Sequence, residues 1–407
     1  MHPNRQTAEL VVGSGLTAVM TIGYIVYVGR AVGAAEYSDF SAALSAIYFV
    51  GLTLTPLTPT IARLTARYRA RGTDGAVVAL RSAALQRVTV WAGAVTLVGA
   101  AASVLLASML QFRTPLPLVI AFAAILLFAI VSVDRGVVQG LLFFRLYNSN
   151  IAIEAAVRLF VAVALLLIKR TAAAALLGYV VALAVAELAM FPRLRHEWRN
   201  RQRESVDWSD VQRLAVPIMI LMFALAVFQN TDMLAVKRWF SPRDAGAWGA
   251  GSAIARGIGV IFVPFYVMAG PLLTSLHEEG KAIFASTIRL TLTFIAAVIV
   301  PLVIIAIMPR FLLSVLYGAD FVRGATIIAP LAGVAVITYT GLMLAQALVT
   351  LHEFRFLIGY VFFAIMQIAG LVLFHASYAD ILRVLYTTQI AALLSVSLFF
   401  VRAWRRR

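Results

Sequence analysis

The sequence predicts an all-α integral membrane protein of about twelve transmembrane helices, built as two parallel six-helix lobes around a central cavity. Three observations carry that expectation. Hydrophobic residues make up 62% of the 407 and charged ones only 13%, a balance that cannot fold around one water-soluble core. The apolar residues fall in successive runs of ~20, the length that crosses a bilayer. The second half of the chain also repeats landmarks of the first. No soluble catalytic domain fits, because the longest polar stretches, 61–88 and 191–213, are each under ~30 residues and too short to fold independently. The absence of cysteine excludes disulfides and thiolate metal sites.

Element by element, the chain opens with MHPNRQTAEL and enters an apolar span near Glu9 with no convincing small-x-small cleavage site, so the first span is read as retained. Hydropathy places spans at 9–29, 39–60, 88–110, 116–134, 150–168, 172–191, 213–235, 245–272, 287–308, 325–349, 355–375 and 382–402. Arginine then orients them. The clusters Arg63, Arg67, Arg69, Arg71, Arg81 and Arg87, then Arg193, Arg195, Arg199, Arg201 and Arg203, then Arg402, Arg405, Arg406 and Arg407 all fall on one side of that topology. By the positive-inside bias this side is cytoplasmic and holds both termini. The net charge of +16 is therefore mainly a topology signal with a secondary role at anionic lipid head groups. Nucleic-acid binding is not expected.

Residues 28–43, VGRAVGAAEYSDFSAA, align with 236–251, VKRWFSPRDAGAWGAG, at one constant offset. Val28 meets Val236, Arg30 meets Arg238, Glu36 meets Asp244 and Phe40 meets Trp248; farther along, Pro56 meets Pro264 and Arg81 meets Arg289. Several matches at one offset predict two related lobes, 1–205 and 206–407. Because each holds an even number of spans, the lobes have the same orientation, as in transporters that rock parallel repeats about a substrate held between them.

Three stretches resemble a known family. GRAVGAAEYSDFSAALS at 29–45 is similar to the pattern that follows the first helix of bacterial polysaccharide exporters and lipid-linked oligosaccharide flippases, members of the multidrug, oligosaccharidyl-lipid and polysaccharide exporter superfamily. Ser38 stands where that pattern usually has glycine. RGVVQGLLFFRLYNSNIAIEAAVRLFVAVALLL at 135–167 resembles the family's turn into a fifth helix that carries Glu and Arg. LAVPIMILMFALAVFQNTDMLAVKRWFSPRDAGAWGAGSAIARG at 214–257 resembles its seventh helix with Asn-x-Asp, with Trp248 in place of the usual Tyr. The resemblance implies an O-antigen flippase-like exporter in the bacterial cytoplasmic membrane. Its substrate would be a polyprenyl-diphosphate-linked oligosaccharide for surface polysaccharide, with a polysaccharide polymerase and chain-length proteins as implied partners.

Such a substrate carries an anionic diphosphate and many hydroxyls, so fixed cations and hydrogen-bonding groups within spans are the candidates, since ionisable groups there are costly. Arg256 lies about twelve residues into the eighth span, ~18 Å along its axis and near the midplane. Among Gly251, Gly257 and Gly259 it reads as a phosphate-binding guanidinium or as half of a structural ion pair. Arg158 follows Glu154 by one helical turn on the fifth span, so the two either contact substrate or pair with each other. Asp232, with Gln229 and Asn230, is the candidate for coupling to H+ or Na+, the alternative being a pairing with Lys237 or Arg238. Glu187, Gln346, Gln367 and Gln389 either hydrogen-bond sugar or lock helices together. Arg81 and Arg289 gather the anionic head group or mark the cytoplasmic boundary. Pro56, Pro217, Pro264 and Pro301 interrupt spans as hinges or kinks.

No Walker A loop occurs, which excludes ATP hydrolysis by this chain as the drive. The five histidines show no metal-binding spacing, and His277 with Glu278 and Glu279 reads as solvated charge. No metal and no cofactor beyond a coupling cation are expected, and the chain is not read as an enzyme. Two alternatives remain: a cation-coupled multidrug-type exporter of the same superfamily, and a polytopic polysaccharide polymerase or ligase, which normally carries a large outer loop.

Overall fold

The computed structural model describes the backbone of residues 3–198, 206, 208–279 and 283–405, with side chains in the first stretch from 15 to 195. Arg199, Arg201, Arg203, Arg406 and Arg407 of the basic clusters, and the side chain of Glu9, lie outside the described residues. The helices are α1 (Pro3–Leu54), α2 (Leu57–Ala70), α3 (Asp74–Met109), α4 (Leu116–Gly140), α5 (Phe144–Ile168), α6 (Ala172–Trp198) and α7 (Trp208–Trp239). They continue as α8 (Pro242–Arg256), α9 (Ile258–Glu278), α10 (Ile283–Ile307), α11 (Pro309–Leu316), α12 (Ala325–Thr350), α13 (Phe356–Leu373) and α14 (Tyr378–Arg405). A short 3-10 turn at Ala319–Gly324 precedes α12. No strand occurs among the described residues.

Among the described residues, eleven helical segments are long and apolar enough to cross a membrane. The first, Gly15–Ala70, takes in most of α1, whose 52 residues make ~78 Å of helix at 1.5 Å per residue. That is far more than a ~30 Å hydrocarbon core requires, and α1 bends at Gly33, whose φ of 75° and ψ of 168° leave the helical region. Only glycine adopts that backbone without strain. Counted as two passes, α1 brings the total to the expected twelve, and the protein is an all-helical, multi-pass membrane protein. Large apolar side chains such as Leu97, Ile168 and Ile358 stand more than 70% exposed, the inverse of a water-soluble surface.

Several boundaries differ from the expectation. The polar stretch 61–88 is helical except for Arg71–Thr73, since α2 and α3 extend beyond their apolar portions. The fourth span does not end at 134: α4 runs to Gly140, because Asp134 and Arg135 are neutralised inside the fold. The eighth pass is broken after Arg256, where α8 gives way to α9. Pro217, Pro264 and Pro301 lie inside helices, whereas Pro56 sits at the N-cap of α2, where the second pass turns.

Two compact units divide the chain, Met1–Met222 and Phe223–Arg407, so that their boundary falls within α7. In the first unit α4 is the hub, packing against α1, α2, α3, α5 and α6. Its small residues make that possible: a Cβ on Gly136 would sit 2.7 Å from the Thr58 carbonyl, and one on Gly140 would press on the Ala62 carbonyl and Thr65. This small-xxx-small stripe lets α2 lie directly on α4. In the second unit α12 is the hub, packing against α8, α9, α10 and α14. The fourth span of each unit thus takes the same role. Each unit also ties the third-quarter loop to its start: Arg113 pairs with Glu36 at 3.1 Å, and Arg323 pairs with Asp244 at 3.1 Å.

Candidate functional site

In the second unit, three residues one turn apart on α8, Trp248, Ser252 and Arg256, present one face to Asp232 of α7. Arg256 Nη2 donates to Asp232 Oδ1 at 2.5 Å, Trp248 Nε1 donates to Oδ2 at 3.0 Å, and Ser252 Oγ lies 3.5 Å from Oδ2. The Asp232 side chain is 1% exposed and that of Arg256 27%, so the carboxylate is sealed while its cation keeps an open side. As the last residue of α8, Arg256 also faces the negative end of that helix dipole. A cavity of about 20 Å³ adjoins the pair, lined by Gln229, Thr338 and Tyr339 among others. Gly259 admits the Tyr339 hydroxyl, which a Cβ would displace.

Asp232 therefore pairs with Arg256 and not with Lys237 or Arg238, the partners considered from sequence. Asn230 is not brought to Asp232. Two positions along a helix point to different faces, and the Asn230 amide donates to the Ala226 carbonyl of its own helix at 3.0 Å. Gln367, expected as a sugar contact, is fully buried. Its amide donates to the Val227 and Phe228 carbonyls and to Thr231, and its carbonyl accepts from Thr388 and Gln389. Gln389 also accepts from Thr338. These groups lock α7, α12, α13 and α14, leaving Gln367 no free hydrogen-bonding group. Arg289 is exposed on α10 and forms no ion pair among the described residues.

The first unit holds a larger ionic cluster. Arg81 of α3 grips Asp134 of α4 through two hydrogen bonds of 2.6 and 2.5 Å, a fork geometry specific to guanidinium. Glu187 of α6 lies beside Asp134. Arg135 donates to Asn150 Oδ1 at 2.8 Å and to Glu154 Oε2 at 2.7 Å, and the Asn150 amide in turn donates to the Ala186 carbonyl. The other oxygen of Glu154 lies 3.6 Å from Arg158. Arg158 further donates to Thr21 at 2.8 Å and lies over the rings of Tyr24 and Tyr179, 5.4 and 5.1 Å from their centroids. One carboxylate thus serves two guanidiniums, while aromatic faces stabilise the second.

Of the expected residues, the structure joins Glu154 with Arg158 and Asp232 with Arg256, ties Arg81 into a buried pair, and leaves Arg289, Asn230 and Gln367 elsewhere. Sequence reasoning missed Asp134, Arg135 and Trp248 as parts of these sites. The signal for Asp134 and Arg135 was present as adjacent charges at the end of an apolar run, but that pattern ordinarily marks a span boundary.

With this geometry in hand, residues 5–277 match the family described as polysaccharide biosynthesis protein. The chain belongs to that family. Its fold is similar to that of an inward-facing MATE family multidrug resistance transporter of the MOP superfamily, with a TM-score of 0.74 at 11% identity over 96% of this chain and 94% of the other. It is also similar to the lipid II flippase MurJ in an inward closed conformation, with a TM-score of 0.72 at 12% identity over 98% of this chain and 87% of the other. A MOP superfamily transporter from Pyrococcus furiosus aligns with a TM-score of 0.60 at 14% identity over 98% of this chain and 93% of the other. No curated protein sequence matches the chain. At these identities the likeness establishes the fold of this polysaccharide biosynthesis family protein, and the site residues stand on their own geometry.

Proposed function

We propose that this protein is a flippase that moves a polyprenyl-diphosphate-linked oligosaccharide across the bacterial cytoplasmic membrane for surface polysaccharide synthesis, by alternating access of two related lobes with both termini cytoplasmic. It is a transport protein and not an enzyme in this reading. The observation that carries it is the sharing of Glu154 by Arg135 and Arg158 within membrane-spanning helices. Two guanidiniums held against one carboxylate inside a span are costly and mark a candidate substrate path, and guanidinium suits phosphate oxygens. Arg256, with its open side, supplies a second cation, and Arg81 holds the helices of the first site together. Arg289 gathers the head group from an exposed position.

Asp232 is the coupling candidate. Phosphate and Asp232 compete for Arg256, so a diphosphate that engages Arg256 leaves a buried carboxylate uncompensated, and uptake of H+ or Na+ relieves it. The same carboxylate favours a second reading, a cation-coupled small-molecule exporter. The experiment that separates the two measures lipid-linked oligosaccharide in cells lacking the protein, complemented with wild type, Arg158→Ala or Arg158→Lys at equal membrane abundance. The flippase reading expects precursor to accumulate, wild type to clear it and Arg158→Ala to fail. Absence of accumulation in the deletion strain overturns the flippase reading.

A further inference from the structure

A groove in the first unit lies apart from both ionic sites. Two helical stripes form its walls: Arg87, Val88, Trp91, Ala92 and Val95 on α3, and Trp208, Val211, Gln212, Ala215, Val216 and Met219 on α7. Ile125 and Ala129 of α4 close the floor, and the volume is about 300 Å³, the lower end of the range for small-ligand sites. The depth comes from small side chains, since Ala92, Ala129 and Ala215 are all buried while Trp91 is 74% exposed at the rim.

The groove is polar at one end only. The Arg87 guanidinium lies 4.3 Å from the centroid of the Trp208 ring and donates to the Ala83 carbonyl at 3.3 Å. It forms no ion pair with a carboxylate among the described residues. An exposed Arg beside two tryptophans is the arrangement found at the level of lipid head groups. From Trp208 to Met219 the α7 stripe runs ~16 Å at 1.5 Å per residue, which is close to half of the ~30 Å hydrocarbon core. The length is that of one leaflet.

We propose that this groove is a binding site for an anionic phospholipid, with one acyl chain along the α3–α7 walls and the phosphate on Arg87. A single cation among the lining residues matches the single charge of a phosphodiester, whereas a polyprenyl diphosphate carries more charge than Arg87 balances. Basic sites between transmembrane helices recognise anionic head groups by this chemistry. The assignment is independent of the flippase reading.

The test uses the intact protein in zwitterionic phosphatidylcholine nanodiscs, into which phosphatidylglycerol or phosphatidylcholine with brominated acyl chains is titrated while tryptophan emission is followed. Wild type is expected to show a saturable quench by brominated phosphatidylglycerol. Its apparent affinity should exceed that for brominated phosphatidylcholine about five-fold, the ~1 kcal/mol gained by one basic residue at an anionic surface. Arg87→Gln, at an exposed position, should abolish the preference, and Ala92→Phe, on the α3 wall, should abolish saturation by filling the groove. Quenching that rises in proportion to mole fraction for both lipids, alike in wild type and Arg87→Gln, overturns the site. Displacement of brominated phosphatidylglycerol by polyprenyl phosphate at lower concentration than by unlabelled phosphatidylglycerol also overturns it, because the groove then belongs to the polyprenyl chain.

Discussion

The Asp232–Arg256 pair predicts an asymmetric response to mutation. Arg256→Gln leaves a carboxylate that is 1% exposed with only Trp248 and Ser252 as donors. Stranding a buried charge in this way costs about 3–5 kcal/mol. Asp232→Asn leaves the opposite situation: the guanidinium is already 27% exposed and can turn outward, and the new amide still accepts from Trp248. Only a charge-assisted hydrogen bond is lost, about 1.5–3 kcal/mol. The double variant removes both charges, so its loss should fall short of the sum of the singles by ~1–3 kcal/mol. Unfolding in mixed detergent micelles, followed by near-UV circular dichroism across the four members of the cycle, measures these differences. Equal losses for the two single variants, or simple additivity in the double, would refute the claim that burial of Asp232 dominates the energetics of the pair.

Three further outcomes are expected. Gly140→Val should lower the melting temperature in detergent, an overpacking loss of about 1–3 kcal/mol, because its side chain meets the Ala62 carbonyl across the α2–α4 contact; an unchanged melting curve would contradict that contact. Gln367→Leu should destabilise the fold by ~1–3 kcal/mol through loss of its links to α7 and α14 while precursor clearance per folded molecule stays at wild-type level, and a selective loss of clearance would return Gln367 to the substrate path. Asp210→Asn, which removes the half-exposed ion pair with Arg67, should shift stability by under ~1 kcal/mol; a larger shift in the same melting assay would contradict its solvent screening.

The sequence by itself determined the solvent and the all-helical, multi-pass fold of this protein. Runs of ~20 apolar residues have one physical use, and that inference needs no knowledge of neighbours. The Glu154–Arg158 pairing was also legible, because residues one helical turn apart meet whatever the rest of the fold does. Only the tertiary structure decided the partners across helices. Arg256 meets Asp232, Arg81 meets Asp134 and Arg135 meets Glu154 over separations of 24, 53 and 19 residues, and no local periodicity encodes such distances. For the same reason adjacent charges at Asp134 and Arg135 looked like the end of a span: an unpaired charge must reach water, whereas a paired one can stay within the helix. Gln367 illustrates the remaining gap, since an amide in an apolar run must find partners, but only packing determines whether they are carbonyls of the next helix or hydroxyls of a passing sugar.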